Sequence, residues 1–441
     1  MYGYVRVKIT KREMIHSLRR IVPSTLLDLY HLALSWLAAA WYGNPSREMI
    51  VIGVTGTNGK TTTAYLTARA LEASGSKTGC TTTALFKIGE REWLNDTKMT
   101  MLGRFALQRL LRKMVTAGCR YAVVEVSSQG IVQHRHRDIV FDVAVLTNLT
   151  PEHLEAHGGF EKYKAAKIEL FRHVAHRPIK IIGGKTIQKL AILNRGDAYA
   201  KEFALPGFDR IVWVDADASL ELQIPGRVNI ENASLALAAA EVLGVSRDAA
   251  KRKLEAVNGV PGRFEKIDEG QPFTVIVDYA PEPYALQACY ETIEKIPHAR
   301  LIHVLGSTGG GRDVARRPIL GRMAAEHADV VIVTNEDPYD DDPKRIIEHV
   351  AEGAREVASR TSSRLLDGIP QKAGKVESRG VQIRTILDRR EAIRSAMREA
   401  KSGDLVLLTG KGCEQAIMGP RGSKIPWDER TVAREEIRDI L

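Results

Sequence analysis

The sequence has few cysteines, and their spacing excludes both a disulfide framework and a cysteine-based zinc ribbon. Cys80, Cys119, Cys289 and Cys413 lie far apart and include no C-x-x-C pair. The sequence also lacks internal repeats and low-complexity tracts. We therefore expect a protein of a reducing compartment and place it in the cytoplasm.

Outside the N-terminus, the sequence has only a small excess of basic over acidic residues. The 441 residues carry a net charge of +10. Residues 1–20 supply five of these charges, because they contain one acidic residue against six basic ones, Arg6, Lys8, Lys11, Arg12, Arg19 and Arg20. The small excess that remains excludes a strong nucleic-acid signature but suits small, phosphate-bearing anions. We expect no nucleic-acid partner.

A single uncharged run, residues 29–46, follows this basic flank, as the apolar part of a signal peptide or membrane anchor would. His31, Ser35 and Asn44 make the run too polar to span a bilayer, and Pro45 ends it close to a nucleotide loop. We predict a helix that packs against the protein. The alternative, a helix that lies on a membrane surface and makes peripheral contact with it, stays open.

The rest of the sequence alternates short apolar runs with helical stretches, a pattern typical of βαβ units and parallel sheets. Its length, with 44% hydrophobic and 27% charged residues, indicates a globular protein of about three domains. Turn-forming residues near Gly259 and Gly262 interrupt the alternation. We predict an α/β fold with a short helical extension (1–48), a central domain with a mostly parallel sheet (49–260) and a C-terminal, Rossmann-like doubly wound domain (261–441).

The strongest local motif is GVTGTNGKTTT, at residues 53–63. It stands between an apolar strand and a helix, where phosphate-binding loops occur. Lys60 would supply a charge for the β- and γ-phosphates, and the Thr61 hydroxyl would ligate Mg²⁺. The spacing differs from the usual G-x-x-x-x-G-K-[ST], because Val54 occupies the first glycine position. The motif predicts that the central domain is a P-loop domain that binds ATP with Mg²⁺.

Three further residues are candidates for this site, and each also has an ordinary structural interpretation. Glu125 ends a strand, and strand ends in open α/β sheets face the ligand crevice, although an exposed carboxylate is also common there. His153 follows another strand and would complete a Mg²⁺ shell or cap a helix. Lys167 lies in a helical pattern, which by itself indicates a solvated lysine.

Ten sequence blocks in order resemble those of the Mur ligases, ATP-dependent amide-forming enzymes of peptidoglycan precursor synthesis. Within that family the sequence is most similar to the tripeptide synthetases, which add diaminopimelate or lysine. Each block alone is modest, and the specificity comes from their number and order. The blocks are GTNGKTTT, EVSSQGIVQHR, TNLTPEHLEAHG, YKAAKIELF, PGRVNIENA, PGRFE, DYAPEP, GGRDVARRP, TNEDPYDDDP and GKGCE.

The resemblance implies a role for each residue that matches a family position. Catalysis would fall to Lys60, His153 and Lys167, with Lys167 carbamylated, and two Mg²⁺ ions would be held by Thr61, Glu125, His153 and Lys167. ATP would be bound by residues of both domains, here Gly56, Thr57, Asn58, Gly59, Lys60, Thr61, Thr62, Asn229, Asn232, Arg263 and Asp278. The two other substrates would meet Ser128, Gln133, Arg135, Arg312, Asp337, Tyr339, Gly410 and Glu414.

The implied reaction joins a muramoyl-peptide carboxylate to a free amino acid through an acyl phosphate made from ATP. Closure of the C-terminal domain, hinged near residues 259–262, would keep water from the acyl phosphate. Two other interpretations stay open. One is an amide ligase of the same fold that acts on a different acceptor, such as a lipid-linked glycopeptide or a folate-like or cyanophycin-like substrate. The other is a nucleotide-binding protein without catalysis.

The sequence departs from the family pattern at both substrate ends. Only about fifty residues precede the phosphate loop, so we expect the family's UDP-binding domain to be missing and the acceptor to be either UDP- or lipid-linked. Tyr339 replaces the arginine that clamps diaminopimelate, and the acidic run around Asp337 either attracts a cationic side chain such as lysine or is a solvated loop. Family histidines are replaced by Gln129, Pro281 and Cys413. We expect a monomer.

Overall fold

The computed structural model describes residues 24–152, 154–311, 314–366 and 380–441, and these form two halves, each built on its own sheet. Residues 1–23 of the predicted N-terminal extension lie outside the described residues. The central half contains the helices α1 (Ser24–Trp41), α2 (Lys60–Leu71), α3 (Arg104–Thr116), α4 (Ser128–Val132), α5 (Leu154–His157), α6 (Phe160–Ala175), α7 (Arg227–Val242) and α8 (Arg247–Glu255).

The central sheet has eight strands, and only two of them run antiparallel to their neighbours. The strands of this half are β1 (Ile50–Thr55), β2 (Thr78–Thr81), β3 (Leu85–Ile88), β4 (Arg91–Leu94), β5 (Tyr121–Glu125), β6 (Val143–Leu146), β7 (Lys180–Ile182), β8 (Lys185–Ile187), β9 (Leu190–Asn194) and β10 (Arg210–Val214). Their order is β10-β9-β6-β1-β5-β2-β3-β4, with β3 and β4 antiparallel, while β7 and β8 form a separate hairpin.

The apolar run of β1 is buried along its whole length, as expected for a central strand of a sheet covered on both faces. Alternate residues point to opposite faces. Ile50, Ile52 and Val54 join a core with α2, α7 and α8, whereas Val51 joins a second core with α3 and α6. The sheet is therefore sandwiched between two layers of helices.

The C-terminal half repeats this plan with six strands in the order β11-β12-β16-β13-β14-β15, all parallel except β11. The strands of this half are β11 (Glu265–Ile267), β12 (Thr274–Val277), β13 (Leu301–Leu305), β14 (Val330–Thr334), β15 (Gln382–Ile386), β16 (Leu405–Leu408) and the separate pair β17 (Ala416–Met418) and β18 (Lys424–Pro426). Its helices are α9 (Pro283–Ile293), α10 (Arg316–His327), α11 (Pro343–Leu366), α12 (Arg389–Glu399) and α13 (Glu429–Arg438).

The predicted α/β class with mostly parallel sheets is confirmed. Apolar runs predicted the strands β1, β5, β6, β12, β13, β14 and β16. They did not predict β4 and β15, which are partly exposed edge strands with mixed polarity. The predicted domain boundary stays a prediction. Residues 259–262 do lie in the connection between the end of α8 and β11.

The helix α1 lies against α3 with one face only. Ser35, Ala38 and Ala39 are buried. The opposite face is an exposed apolar stripe made of Leu26, Leu29, Tyr30, Ala33, Trp36, Leu37, Ala40 and Trp41, which recur at helical spacing. Among the residues that the structure describes, no helix is long and apolar enough to cross a membrane.

Candidate functional site

A cavity of about 350 Å³ lies between the two halves, beside the carboxyl ends of β1 and β5. Parallel strands end at one edge of a sheet, and this edge is where ligands bind in open α/β folds. Both halves line the cavity. The predicted site residues found in its wall are Thr57, Asn58, Gly59, Lys60, Thr61, Thr62, Glu125, Asn229, Asn232, Arg263 and Asp278.

The loop between β1 and α2 requires glycine at two positions. Gly59 has φ +78°, and a Cβ atom there would lie 2.3 Å from Oδ1 of Asn232. Gly56 has φ +148°, and its Cβ would lie 1.9 Å from Oγ1 of Thr147. The backbone therefore passes so close to its neighbours that no side chain fits. The loop leads directly into α2, whose first turn presents unpaired N–H groups suited to phosphate.

Glu125 is held in the cavity wall beside the start of α2. Its Oε2 accepts hydrogen bonds from the Thr61 hydroxyl at 3.0 Å and from the Thr83 backbone N–H at 2.7 Å, and its Oε1 accepts one from the Thr83 hydroxyl at 3.0 Å. Nη2 of Arg263, from the C-terminal half, donates to the Thr61 hydroxyl at 3.1 Å. Thr61 is therefore the point at which the two halves meet over the phosphate loop.

The pair of Thr61 and Glu125 fits a Mg²⁺ ion, because the ion prefers hard oxygen ligands and usually takes one or two protein groups together with phosphate oxygens and water. No three His, Cys, Asp or Glu side chains in the described ranges converge as a metal-binding group. His153, the predicted ligand of a second ion, lies outside the described residues. The described side chains thus fit an ion that is bound jointly with a nucleotide.

Lys167 is buried directly beneath the phosphate loop, with 1% of its surface exposed. Its Nζ donates to the Gly56 carbonyl oxygen at 2.5 Å and lies 4.4 Å from the centre of the Tyr163 ring. Burial and the like charge of Lys60 lower the pKa of Lys167 well below its usual 10.5, against the opposing influence of nearby carboxylates. The expectation of a solvated lysine, drawn from the helical pattern alone, was wrong.

The charged residues of the cavity wall that sequence reasoning did not select include Glu152 and Arg316. Burial raises the pKa of the Glu152 carboxyl, while the charges of Lys60, Lys167 and Arg316 act to lower it. Arg316 is buried and donates to Glu282 and to the Thr308 hydroxyl. Lys60, Arg263 and Arg316 therefore share the cavity wall with several carboxylates, among them Glu125, Glu152 and Asp278.

Asn229 and Asn232 belong to the first turns of α7, which packs against α2. Oδ1 of Asn232 accepts a hydrogen bond from the Thr63 hydroxyl at 3.0 Å, and the Nδ2 of Asn229 donates to the Pro225 carbonyl at 2.7 Å. These bonds fix both amides at the end of the cavity beyond the phosphate loop. Their predicted place near the adenine is consistent with this position and stays a prediction.

The C-terminal half enters the cavity through the turn that precedes β11. The Arg263 guanidinium lies 4.6 Å from the centre of the Tyr279 ring, and the Phe264 N–H donates to Asp278 Oδ2 at 2.6 Å. A Cβ atom on Gly262 would lie 2.1 Å from the backbone nitrogen of Cys413. The turn is therefore pressed against the GKGC loop, and the predicted hinge function of residues 259–262 stays a prediction.

Asp337 and Glu414, two predicted substrate-binding residues, belong to a buried cluster with two lysines. Lys98 Nζ, from the central half, lies 2.5 Å from Asp337 Oδ2 and 2.9 Å from Glu414 Oε2. Lys411 Nζ lies 2.8 Å from Asp337 Oδ1 and 2.7 Å from Glu414 Oε2. Burial alone would raise the pKa of Asp337, but the charges of Lys411 and Lys98 lower it overall. We call these four residues the two-lysine cluster.

The acidic run that follows Asp337 also has partners within the protein. Asp340 accepts a hydrogen bond from the Arg421 backbone N–H at 2.6 Å, and Asp341 pairs with Arg317 at 3.2 Å. Tyr339 has φ +53°, and its N–H donates to the Met418 carbonyl at 3.1 Å. A cationic substrate group would therefore have to compete with protein cations for these carboxylates, and its recognition here stays a prediction.

The other predicted substrate-binding residues lie outside the cavity wall. Ser128 Oγ is 3.0 Å from His157 Nε2, and Arg135 donates to the side chain of Gln133 at 2.6 Å and to the Met101 carbonyl. The Gly410 N–H donates to the Tyr279 carbonyl at 2.9 Å. Arg312 lies outside the described residues.

Sequence reasoning missed five residues that shape the site. Lys411 and Arg316 stand inside the blocks GKGCE and GGRDVARRP, so the motifs contained a signal for them. Glu152 lies beside the predicted His153. Thr83 and Lys98 carry no local signal, because their partners are distant in sequence; Lys98 and Asp337 are 239 residues apart.

Comparison with known families gives two matches that together span most of the chain. Residues 54–240 match the Mur ligase middle domain, and residues 262–412 match the Mur ligase, glutamate ligase domain. The UDP-N-acetylmuramyl-tripeptide synthetase of Roseiflexus sp. (strain RS-1) is 38% identical over an alignment that covers 95% of this chain and 84% of the relative. A diaminopimelate ligase of Geobacillus kaustophilus is 34% identical, with 95% and 85% covered.

Solved structures with the same fold include a UDP-N-acetylmuramoyl-L-alanyl-D-glutamate–2,6-diaminopimelate ligase, with TM-score 0.55 and 27% identity, covering 89% of this chain and 79% of that one. Folylpolyglutamate synthase of Mycobacterium tuberculosis, solved with ADP and AMPPCP, has TM-score 0.64 and 19% identity, and the match covers 97% of this chain and 98% of that one. At that identity the second likeness concerns the fold alone.

The two-lysine cluster predicts that Lys98 holds the two halves together. Replacing Lys98 by Met leaves two buried carboxylates with one lysine, which should destabilise the protein by about 3 kcal/mol and loosen the contact between the halves. Small-angle X-ray scattering of the Lys98→Met variant should give a larger radius of gyration than that of the unmodified protein.

The matched control is Lys87→Met. Lys87 is also largely buried, with 1% of its side chain exposed against 7% for Lys98, and lies 2.9 Å from both Glu72 and Glu92, but all three belong to the central half. This variant should lose stability without a change in the radius of gyration. An equal radius in both variants would show that Lys98 does not act between the halves.

Proposed function

The chain belongs to the Mur ligase family, and from this premise we propose that it is an ATP-dependent ligase that joins a muramoyl-peptide carboxylate to the amine of a free amino acid in peptidoglycan precursor synthesis. The observation that carries the proposal is the shared cavity. It combines a phosphate loop, the Thr61–Glu125 pair and two arginines of the other half, Arg263 and Arg316, around one space. Such a space suits a triphosphate and an anionic acceptor together.

The chemistry requires activation, because an ionised carboxylate has no leaving group that an amine could displace. In the proposed reaction an acceptor carboxylate oxygen attacks the γ-phosphorus of ATP, ADP leaves, and an acyl phosphate forms. The amine nitrogen then attacks the acyl carbon, the bond between that carbon and the phosphate oxygen breaks, and nitrogen loses a proton. Products are an amide, inorganic phosphate and ADP.

The residues of this chain would contribute mainly charge and position. Lys60, Arg263 and Arg316 would balance the negative charge that gathers on the transferred phosphoryl group and the acyl oxygen. Thr61 and Glu125 would hold a Mg²⁺ ion, which neutralises phosphate charge when bound. The contact between Arg263 and Thr61 would keep the C-terminal half over the reacting groups and exclude water.

Lys167 has the properties that carbamate formation needs. Carbon dioxide reacts with a neutral amine, and burial beside Lys60 lowers the pKa of Lys167, which raises the share of neutral amine. Carbamylation converts this amine to an anion and releases one proton. An anion beneath the phosphate loop would offset the surrounding positive charge and offer oxygen ligands to a second Mg²⁺ ion.

The nature of both substrates is part of the proposal. The acceptor is a muramoyl peptide that is linked to UDP or to a lipid, and Ser128, Gln133 and Arg135 are the candidates to contact it. The amino acid would be met by Gly410, Glu414 and the loop of Tyr339. Because a tyrosine cannot form a bidentate clamp on a carboxylate, we expect lysine or another amino acid without a distal carboxylate to be preferred over diaminopimelate.

We also propose that the enzyme works as a monomer in the cytoplasm and touches a membrane surface through α1. Support comes from the apolar stripe, in which Leu29, Trp36 and Trp41 are 61%, 65% and 74% exposed. Aromatic and aliphatic side chains along one face of a helix are typical of helices that lie in the plane of a membrane interface. The charged residues of the preceding segment would add attraction to anionic lipid.

The ligase proposal predicts phosphate release that depends on ATP, a muramoyl-dipeptide acceptor and an amino acid together. An amino-acid panel with the UDP-linked acceptor, scored by product mass, identifies the substrate. The Lys60→Met variant should lower kcat by about a hundred- to a thousandfold, because it removes a charge from the transferred phosphoryl group. Lys253→Met, which alters an exposed lysine of α8, is the matched control and should keep its activity.

Turnover that requires a folate-like or another acceptor instead would assign the chain to a different reaction of the same fold. Nucleotide binding without turnover on any acceptor would refute the ligase proposal.

The carbamate proposal predicts a carbamate carbonyl signal in ¹³C NMR after addition of ¹³C-bicarbonate. The signal should weaken as the pH falls through the lowered pKa of Lys167, because protonation removes the reactive amine. Lys167→Met should lose both the signal and most of the activity, and Lys164→Met, which alters a neighbouring lysine of the same helix, should keep both. A fully active Lys167→Met enzyme would contradict the proposal.

A further inference from the structure

A second cavity, of about 470 Å³, opens at the opposite edge of the central sheet from the nucleotide site. Its wall includes Asn44 and Arg47, which precede β1, and Arg137, which precedes β6. Arg172, in the last turn of α6, and Arg177, which follows that helix, complete the wall. Because the phosphate loop follows the carboxyl end of β1, the whole length of that strand separates the two sites.

The wall of this cavity carries an excess of positive charge. Four arginines face two carboxylates, Asp138 and Glu169, and Glu169 is paired with Arg172 at 2.5 Å. Arg47 and Arg137 are exposed and form no ion pair with any residue that the structure describes. Two free guanidinium groups at the mouth of a cavity attract anions.

The floor of the cavity contains a guanidinium group whose partners lie within the protein. Arg177 is 4% exposed and donates to the carbonyls of Pro178 at 2.8 Å and Ile187 at 2.7 Å. It also lies 3.1 Å from Asp142 Oδ1. Its Nε has no hydrogen-bond partner within the described part of the chain, but protein atoms enclose it, so Arg177 contributes positive charge to the floor and no accessible donor.

The apolar stripe of α1 ends beside this cavity. Trp41 is the last residue of the helix, and Asn44 already belongs to the cavity wall. Three peptide links separate them, so their Cα atoms lie within about 11 Å of each other. A surface that combines an apolar helix face with an adjoining cationic cavity is complementary to a phospholipid, in which a phosphate group lies next to the acyl chains.

We propose that this cavity binds the phosphate of an anionic phospholipid headgroup while the α1 stripe lies among the upper acyl chains. The inference rests on the membrane contact proposed above and adds its lipid specificity. Phosphate oxygens would accept from Arg47 and Arg137, because a planar guanidinium matches phosphate geometry. A lipid is the source we favour over a soluble phosphate, since the stripe would otherwise face water.

The test is flotation of the full chain with vesicles of phosphatidylcholine alone or mixed with phosphatidylglycerol. The unmodified protein should bind both and prefer the anionic mixture. The double variant Arg47→Gln, Arg137→Gln should lose about twenty-fivefold in affinity for the anionic mixture, about fivefold for each arginine, and keep its affinity for phosphatidylcholine. Trp36→Ser with Trp41→Ser should lose binding to both kinds of vesicle.

The charge control is Arg210→Gln with Arg252→Gln, two exposed arginines elsewhere on the central half, and it should keep the anionic preference. An equal loss in this control would attribute the preference to overall charge and overturn the proposed site. Stabilisation of the chain by inorganic phosphate without vesicle binding would overturn the lipid assignment. Equal binding of the unmodified protein to both vesicle types would refute the headgroup site alone. Binding to neither type would refute the membrane contact as well. Ligase turnover in solution does not depend on any of these results.

Discussion

The site depends on the parallel pairing of β1 with β5, which brings Val54 opposite Glu125 at the edge where both strands end. The phosphate loop follows β1 and leads into α2. The register of β5 against β1 therefore places the Glu125 carboxylate beside the first turn of α2. The Thr61 hydroxyl then lies within hydrogen-bond distance of Glu125, and Arg263 can reach Thr61 from the other half. A shift by one residue would turn the carboxylate into the opposite core, because side chains alternate between faces.

Much of the fold and part of the site could be predicted from the sequence, because buried parallel strands and phosphate loops leave local patterns. The run of β1, the loop glycines and Lys60 are examples. Lys167 shows the limit: a helical pattern gave no reason to bury it, and only the resemblance placed it near the nucleotide. Lys98 lies beyond any local pattern, since its surroundings are made by two distant loops of the other half. Long-range charge pairing is set by the tertiary fold, not by spacing.

Buried charge is distributed differently in the two regions where the halves meet. The two-lysine cluster pairs two cations with two carboxylates, so it can remain buried without a ligand. The cavity between the halves instead lines an open space with both signs of charge, the cations Lys60, Arg263 and Arg316 and several carboxylates. The first arrangement holds the halves in place at low electrostatic cost. The second leaves charged groups of both signs around an open space, which would suit phosphate groups bound together with a divalent cation, so ligand binding and closure would reinforce each other.

This division also bears on how the amino acid would be selected. In the two-lysine cluster, Lys98 occupies the position between Asp337 and Glu414 that a cationic substrate side chain would need. A substrate ammonium could enter only by displacing a lysine that also ties the halves together, so entry would weaken the closure that protects an acyl phosphate. If the enzyme selected its amino acid through these carboxylates, catalysis would suffer unless the incoming ammonium group restored the contacts that Lys98 makes with Asp337 and Glu414. A cationic substrate would therefore have to replace Lys98 contact for contact, and the positions of both carboxylates would limit which cations could do so.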